Sequence, residues 1–165
     1  YKARSEGMRL YADDKYDEAY PHLMLAAQSG LKFPQAQLGF MHVSGLGPAA
    51  KDPRLAIGWL GVASAGKTDP SIRKFYKKLL KSVPKDKHPG FQRIVDKFVT
   101  NYGTAVNNVQ CARVNKAASH IRTLQCTIRD PDGRIVSDIF EGVQSGQLGA
   151  GAFDSIGGGG SPGAN

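Results

Sequence analysis

The four histidines and two cysteines are the residues best suited to chemistry, and their spacing fits little of it. His22, His42, His88 and His120 are scattered, and Cys111 and Cys126 have no histidine placed near them as a co-ligand. A protein zinc site needs several such donors converging at close spacing, so no metal is expected. The separation of the cysteines also departs from the short spacing of a redox-active dithiol.

Carboxylates offer no better catalytic pair. Asp13 and Asp14 fall in a turn, and Asp17 and Glu18 fall in the first turn of a helix, where acids complement the helix dipole. Asp130 and Asp132 flank a turn proline, with too few oxygen ligands for a calcium loop. Gly45-Leu46-Gly47 has neither the preceding strand nor the following Gly-Lys-Ser/Thr of a phosphate loop. No nucleophile motif or dinucleotide fingerprint occurs. The expectation is a non-enzymatic protein without a cofactor, although a triad assembled from distant residues would leave no local motif.

Charge carries more information. The net charge is +8, and it is unevenly spread. Residues 1–70 hold eight basic and seven acidic residues, residues 71–129 thirteen and two, and residues 130–165 one and five. The middle of the chain therefore carries the positive field, through Arg73, Lys74, Lys77, Lys78, Lys81, Lys85, Lys87, Arg93 and Lys97. A field of this sign attracts an anionic partner: an acidic protein or peptide, with nucleic acid, or lipid headgroups beneath a surface helix at 71–83, as alternatives. A face that is merely solvated would look the same. Tyr76, Phe91 and Phe98 lie in this segment on apolar stripes, which favours core packing over base stacking.

These cations are positioned by helices. Apolar residues at three- and four-residue spacing predict helices over 3–12, 16–29, 35–44, 53–65, 71–83 and 91–102. Pro21 interrupts the second of them. Asp52-Pro53 and Asp69-Pro70 are paired cap-and-start signals. In 71–83, Ile72, Phe75, Tyr76, Leu79, Leu80 and Val83 form one stripe, with the cations on the other faces. Pro84 to Gly90 is expected as a loop. Helical periodicity then stops. Alternation predicts strands over 108–114 and 121–129, a turn at Asp130-Pro131-Asp132-Gly133 and a returning strand over 134–140. From Gly142 the chain is rich in Gly and Ser and is expected to be a flexible tail, unless Leu148, Phe153 and Ile156 dock.

A hairpin with arms centred on Cys111 and Cys126 would bring the two cysteines together as a disulfide. Persistent bridges belong to oxidising compartments. Together with an opening residue, Tyr1, that is not Met, this gives a periplasmic or secreted protein as the expectation, with two thiols in a cytoplasmic protein as the alternative. No apolar run is long enough to span a membrane as a helix.

One further pattern is a repeat. Ala26-Ala27-Gln28-Ser29-Gly30 and Ala63-Ser64-Ala65-Gly66 close two helices about one helical-hairpin period apart. With Leu38-Gly39, Gly45-Leu46-Gly47, Asp52, Ala56 and Trp59, and with Tyr16 and Ala19 earlier, the chain resembles Sel1-like repeat proteins, relatives of the tetratricopeptide class. The resemblance covers roughly residues 5–66. The loop between Gly47 and Asp52 is longer than the family's usual form, Pro34 stands where alanine is usual, and the pattern breaks after Gly66. The resemblance implies structural roles for Gly30, Gly39, Gly45, Gly47, Asp52, Ala56, Trp59 and Gly66, and a scaffold that holds a protein or peptide. The expected fold is mainly α: a solenoid of antiparallel helix pairs over 1–103, a small β-hairpin-containing appendage over 104–141 and the tail over 142–165.

Overall fold

In the computed structural model, residues 2–115 and 120–141 are described, the side chains through Val136. The expected tail over 142–165 lies outside them. The chain is mainly helical: α1 (Lys2–Ala12), α2 (Tyr16–Gln28), α3 (Lys32–Ser44), α4 (Pro53–Ser64), α5 (Pro70–Ser82) and α6 (His88–Tyr102). A small antiparallel sheet follows, with β1 (Val109–Asn115), β2 (Arg122–Arg129) and β3 (Ile135–Glu141) in that order across it.

Side-chain caps set two of the helix starts. The Asp52 carboxylate accepts from the Arg54 and Leu55 amides at 2.8 and 3.2 Å, and Asp69 accepts from the Ser71 amide at 2.9 Å. In both helices proline takes the first position, where no amide hydrogen is needed. Two starts differ from the sequence reading. Helix α3 begins at Lys32, because Pro34 falls within its first turn, where its missing N–H costs nothing. The stretch expected as a loop after Pro84 is a 3-10 turn over Lys85–Lys87 that runs straight into α6.

Helix α4 is the hub. Its apolar side chains are buried almost all round, and it packs against α3, α5 and α6. Small residues make this crowding possible. A β-carbon on Gly39 of α3 would fall 2.5 Å from Leu60 Cγ, and one on Gly58 would fall 2.5 Å from the Phe98 ring. Gly61 meets Val95 in the same way. Trp59 is buried, edge-on to Phe98 and stacked at 27° on Tyr102, each with centroids 5.0 Å apart. The third pair in sequence departs from a regular hairpin: α5 and α6 each pack on α4 rather than chiefly on each other.

Two buried polar side chains lock this core. Lys32 is 2% exposed, and its Nζ donates to the carbonyls of Val62 and Ala65 at 2.8 and 2.9 Å. A cation thereby sits on the last turn of α4, where carbonyls lack helical partners. Gln35 Nε2 donates to the carbonyls of Ala27 and Tyr102 at 2.9 and 2.8 Å, tying the end of α2 to the end of α6. That tie fixes where the sheet begins.

Candidate anion-binding groove

Beyond Tyr102 the chain turns through residues 103–108, and the Val109 amide donates to the Thr104 carbonyl at 2.8 Å as β1 starts. Ile128 of β2 packs on Ala26 and Leu31 from α2 and the start of α3. These contacts bring β1 opposite the outer face of α5. Between them lies a groove of about 880 Å³.

Its walls are strongly basic. Arg73, Lys74, Lys77, Lys78 and Lys81 of α5 form one side, Lys67 stands at one end, and Ala112 and Arg113 of β1 form the other side. Helical periodicity explains the first wall: Ile72 and Phe75 are buried toward α3 and α4, with Phe75 edge-on to Phe40 at 5.9 Å, so the intervening cations face outward. Arg73 is held by a 2.7 Å bond from Nη2 to the Gly66 carbonyl. Among the described residues, Lys74, Lys77, Lys81 and Arg113 have no carboxylate at ion-pair distance. Among the described residues, no aromatic side chain lines the groove.

The remaining basic residues of the segment do not join them. Lys87, Arg93 and Lys97 line a separate cavity of about 640 Å³ beside Arg54 and Asp86, at the start of α6. Lys85 lines neither. Tyr76 and Phe98 pack on the core, and Phe91 is half-buried. The charge run of the sequence is thus two patches. Lys67 and Arg113, from outside that run, belong to the first.

Of the repeat-like residues only Gly66 borders the groove; the others lie in the helical packing or its turns. Ala56 is buried, and Gly39 lies on the contact between α3 and α4. Gly47 has a left-handed φ of 56° and approaches Tyr16 so closely that a β-carbon would fall 2.9 Å from its backbone, so no other residue suits both demands. Gly45 caps α3 at φ 69°, Gly30 turns the chain at φ 85° beside Asn107, and Gly66 follows α4 at φ 63°.

His42 is buried and structural in its contacts. Its Nδ1 lies 2.9 Å from the Ala50 carbonyl and must donate to it, which leaves Nε2 to accept from the Tyr20 hydroxyl at 3.4 Å. Among the described residues, no three His, Cys, Asp or Glu side chains converge as metal ligands. Cys111 and Cys126 face each other across β1 and β2 with their sulfurs bonded at 2.07 Å. No described helix is long and apolar enough to cross a membrane. Compared with family models, curated proteins and solved structures, the chain matches none.

Proposed function

We propose that this chain is a non-enzymatic binding protein that holds an acidic protein or peptide in the groove between α5 and β1. One observation carries the reading: seven cationic side chains from α5, β1 and the α4–α5 connection surround one groove. Within α5, Lys74 and Lys78, and Lys77 and Lys81, are like-charged neighbours one turn apart, an arrangement that weakens an isolated helix. An anionic partner relieves that repulsion. The helices serve as the rigid support, in keeping with the resemblance to Sel1-like scaffolds. The cysteine pair supports an oxidising, periplasmic or secreted setting.

Nucleic acid is the second reading, because the same cations attract phosphates. Against single strands, the described lining of the groove offers no aromatic on which bases stack. The test is titration of the full chain with an acidic peptide, a duplex and a single strand, each at two salt concentrations. The proposal expects binding of the peptide and weaker, non-specific binding of the oligonucleotides. Tight, salt-steep binding of the duplex with none of the peptide would replace it with the nucleic-acid reading.

A further inference from the structure

We propose that the acidic partner enters the groove as an extended strand that adds to the open edge of β1. The inference rests on the acidic-partner reading above and assigns the conformation and backbone contacts of what binds.

The sheet order is β1-β2-β3, so among the described residues β1 is paired on one side only. The register settles which of its backbone groups face the open side. In an antiparallel pair, opposed residues alternate between those that exchange hydrogen bonds, with Cα atoms about 5.5 Å apart, and those that do not, at about 4.5 Å. Cys111 and Cys126 are directly opposed with Cα atoms 4.0 Å apart, so theirs is a non-bonded pair. Two bonds agree with that phase. The Val109 amide, two residues before Cys111, donates to Thr104 rather than to β2, and the Asn108 carbonyl, three residues before, accepts from Arg129 at the end of β2. By alternation the N–H and C=O groups of Cys111, Arg113 and Asn115 point away from β2.

Of these residues, Arg113 lines the cationic groove beside Ala112, and Cys111 lines a smaller cavity that shares Lys67 and Ala112 with it. A strand laid beside β1 would run about 4.8 Å from it, on the α5 side. Its alternate side chains recur about every 6.7 Å. Cations at i and i+4 along α5, such as Lys74 and Lys78 or Lys77 and Lys81, recur about every 6 Å. A chain with acids at alternate positions therefore matches the cation spacing while its backbone pairs with β1. Backbone bonds would give affinity and the α5 cations the preference for acids, as in other strand-addition modes. The Cys111–Cys126 bond ties β1 to β2 and keeps the receiving edge extended.

The probe is a labelled, end-blocked peptide of alternating Glu and Val, titrated into the full oxidised chain. Two variants carry N-methyl groups, one on the Glu amides and one on the Val amides. Strand addition expects one N-methyl peptide to lose about tenfold or more in affinity while the other stays near the parent, because alternate amides face β1. Arg113→Gln should weaken binding through charge alone, and Arg113→Pro about tenfold further by removing an outward amide. If that proline disrupts the sheet, the N-methyl pair still decides. Equal effects of both methylations, with the parent bound, would end strand addition and leave the acidic-partner reading standing. No binding of the parent peptide alongside binding of a duplex would end both. Self-association of the chain that the peptide does not displace would assign the edge to a second copy and overturn the proposal.

Discussion

Gly58 lies so close to Phe98 that a β-carbon on it would sit 2.5 Å from Cε2 and 2.7 Å from Cδ2 of the ring. The ring cannot easily withdraw, because it is held edge-on by both Trp59 and Tyr102. Gly58→Ala therefore sets helix propensity against overpacking. Alanine favours the helix by about 1 kcal/mol, while forcing an extra methyl into a packed interface costs about 1–3 kcal/mol. The expected result is a net loss of stability in denaturant unfolding. The loss should shrink or reverse in a Phe98→Leu background, since the two positions are coupled.

Lys32 makes a different kind of demand. Lys32→Met keeps most of the buried aliphatic stem but withdraws the donor from the Val62 and Ala65 carbonyls. Leaving such groups unsatisfied costs about 1–3 kcal/mol each. The unfolding midpoint should fall clearly. An unchanged midpoint would show that the end of α4 does not depend on this cation.

Much of this arrangement was readable from sequence because it is local. Asp52-Pro53 and Asp69-Pro70 announce helix starts through groups two residues away, and the stripe of 71–83 encodes the outward face of α5. The facing cysteines follow from a hairpin whose arms are centred on Cys111 and Cys126. What escaped is non-local. Lys32 and Gln35 carry polar side chains into the core, and only the approach of α4 and α6 explains why. The charge run from Arg73 to Lys97 looks continuous along the chain, but the 3-10 turn over Lys85–Lys87 intervenes, and the cations of α5 and α6 line separate cavities. Arg113 joins the groove from β1, a position that sequence spacing cannot connect to α5.

Tyr11 gives a pH prediction. Burial, with Tyr16 and Asp14 nearby, holds its hydroxyl proton well above the usual tyrosine range. Tyr16 is pushed up to about 12 by burial and its bond to Asp14. A raised folded pKa means that the unfolded chain loses its proton first as pH rises. The contribution is therefore complete below the unfolded value of about 10 and is lost as pH climbs above it. Urea midpoints at pH 8 and about pH 11 should show this fall, with a smaller fall in Tyr11→Phe. At neutral pH the Tyr11→Phe change should be neutral or stabilising, because the buried hydroxyl has no hydrogen-bond partner among the described residues.

The disulfide closes a loop with a sequence separation of 15, for which chain entropy gives about 3 kcal/mol. Reduction should destabilise the sheet more than the helices, read as earlier amide exchange in β1 and β2 than in α3 and α4. Alkylation of the denatured, unreduced chain from its native compartment should add no label, and two after reduction. Two labels without reductant would contradict both the bond and an oxidising location.

In the function proposed above, the cations around the α5–β1 groove, and not positive charge in general, hold the acidic partner. It is tested most directly by comparing two charge reversals of equal size in one peptide titration. The first is Lys74, Lys77 and Lys81→Glu in the groove. The second is Lys87, Arg93 and Lys97→Glu around the other cavity. Both variants should keep the helical spectrum, since all six side chains are exposed. The first should abolish binding of the alternating Glu-Val peptide, and the second should leave most of it. Equal losses from the two variants, or a larger loss from the second, would contradict it.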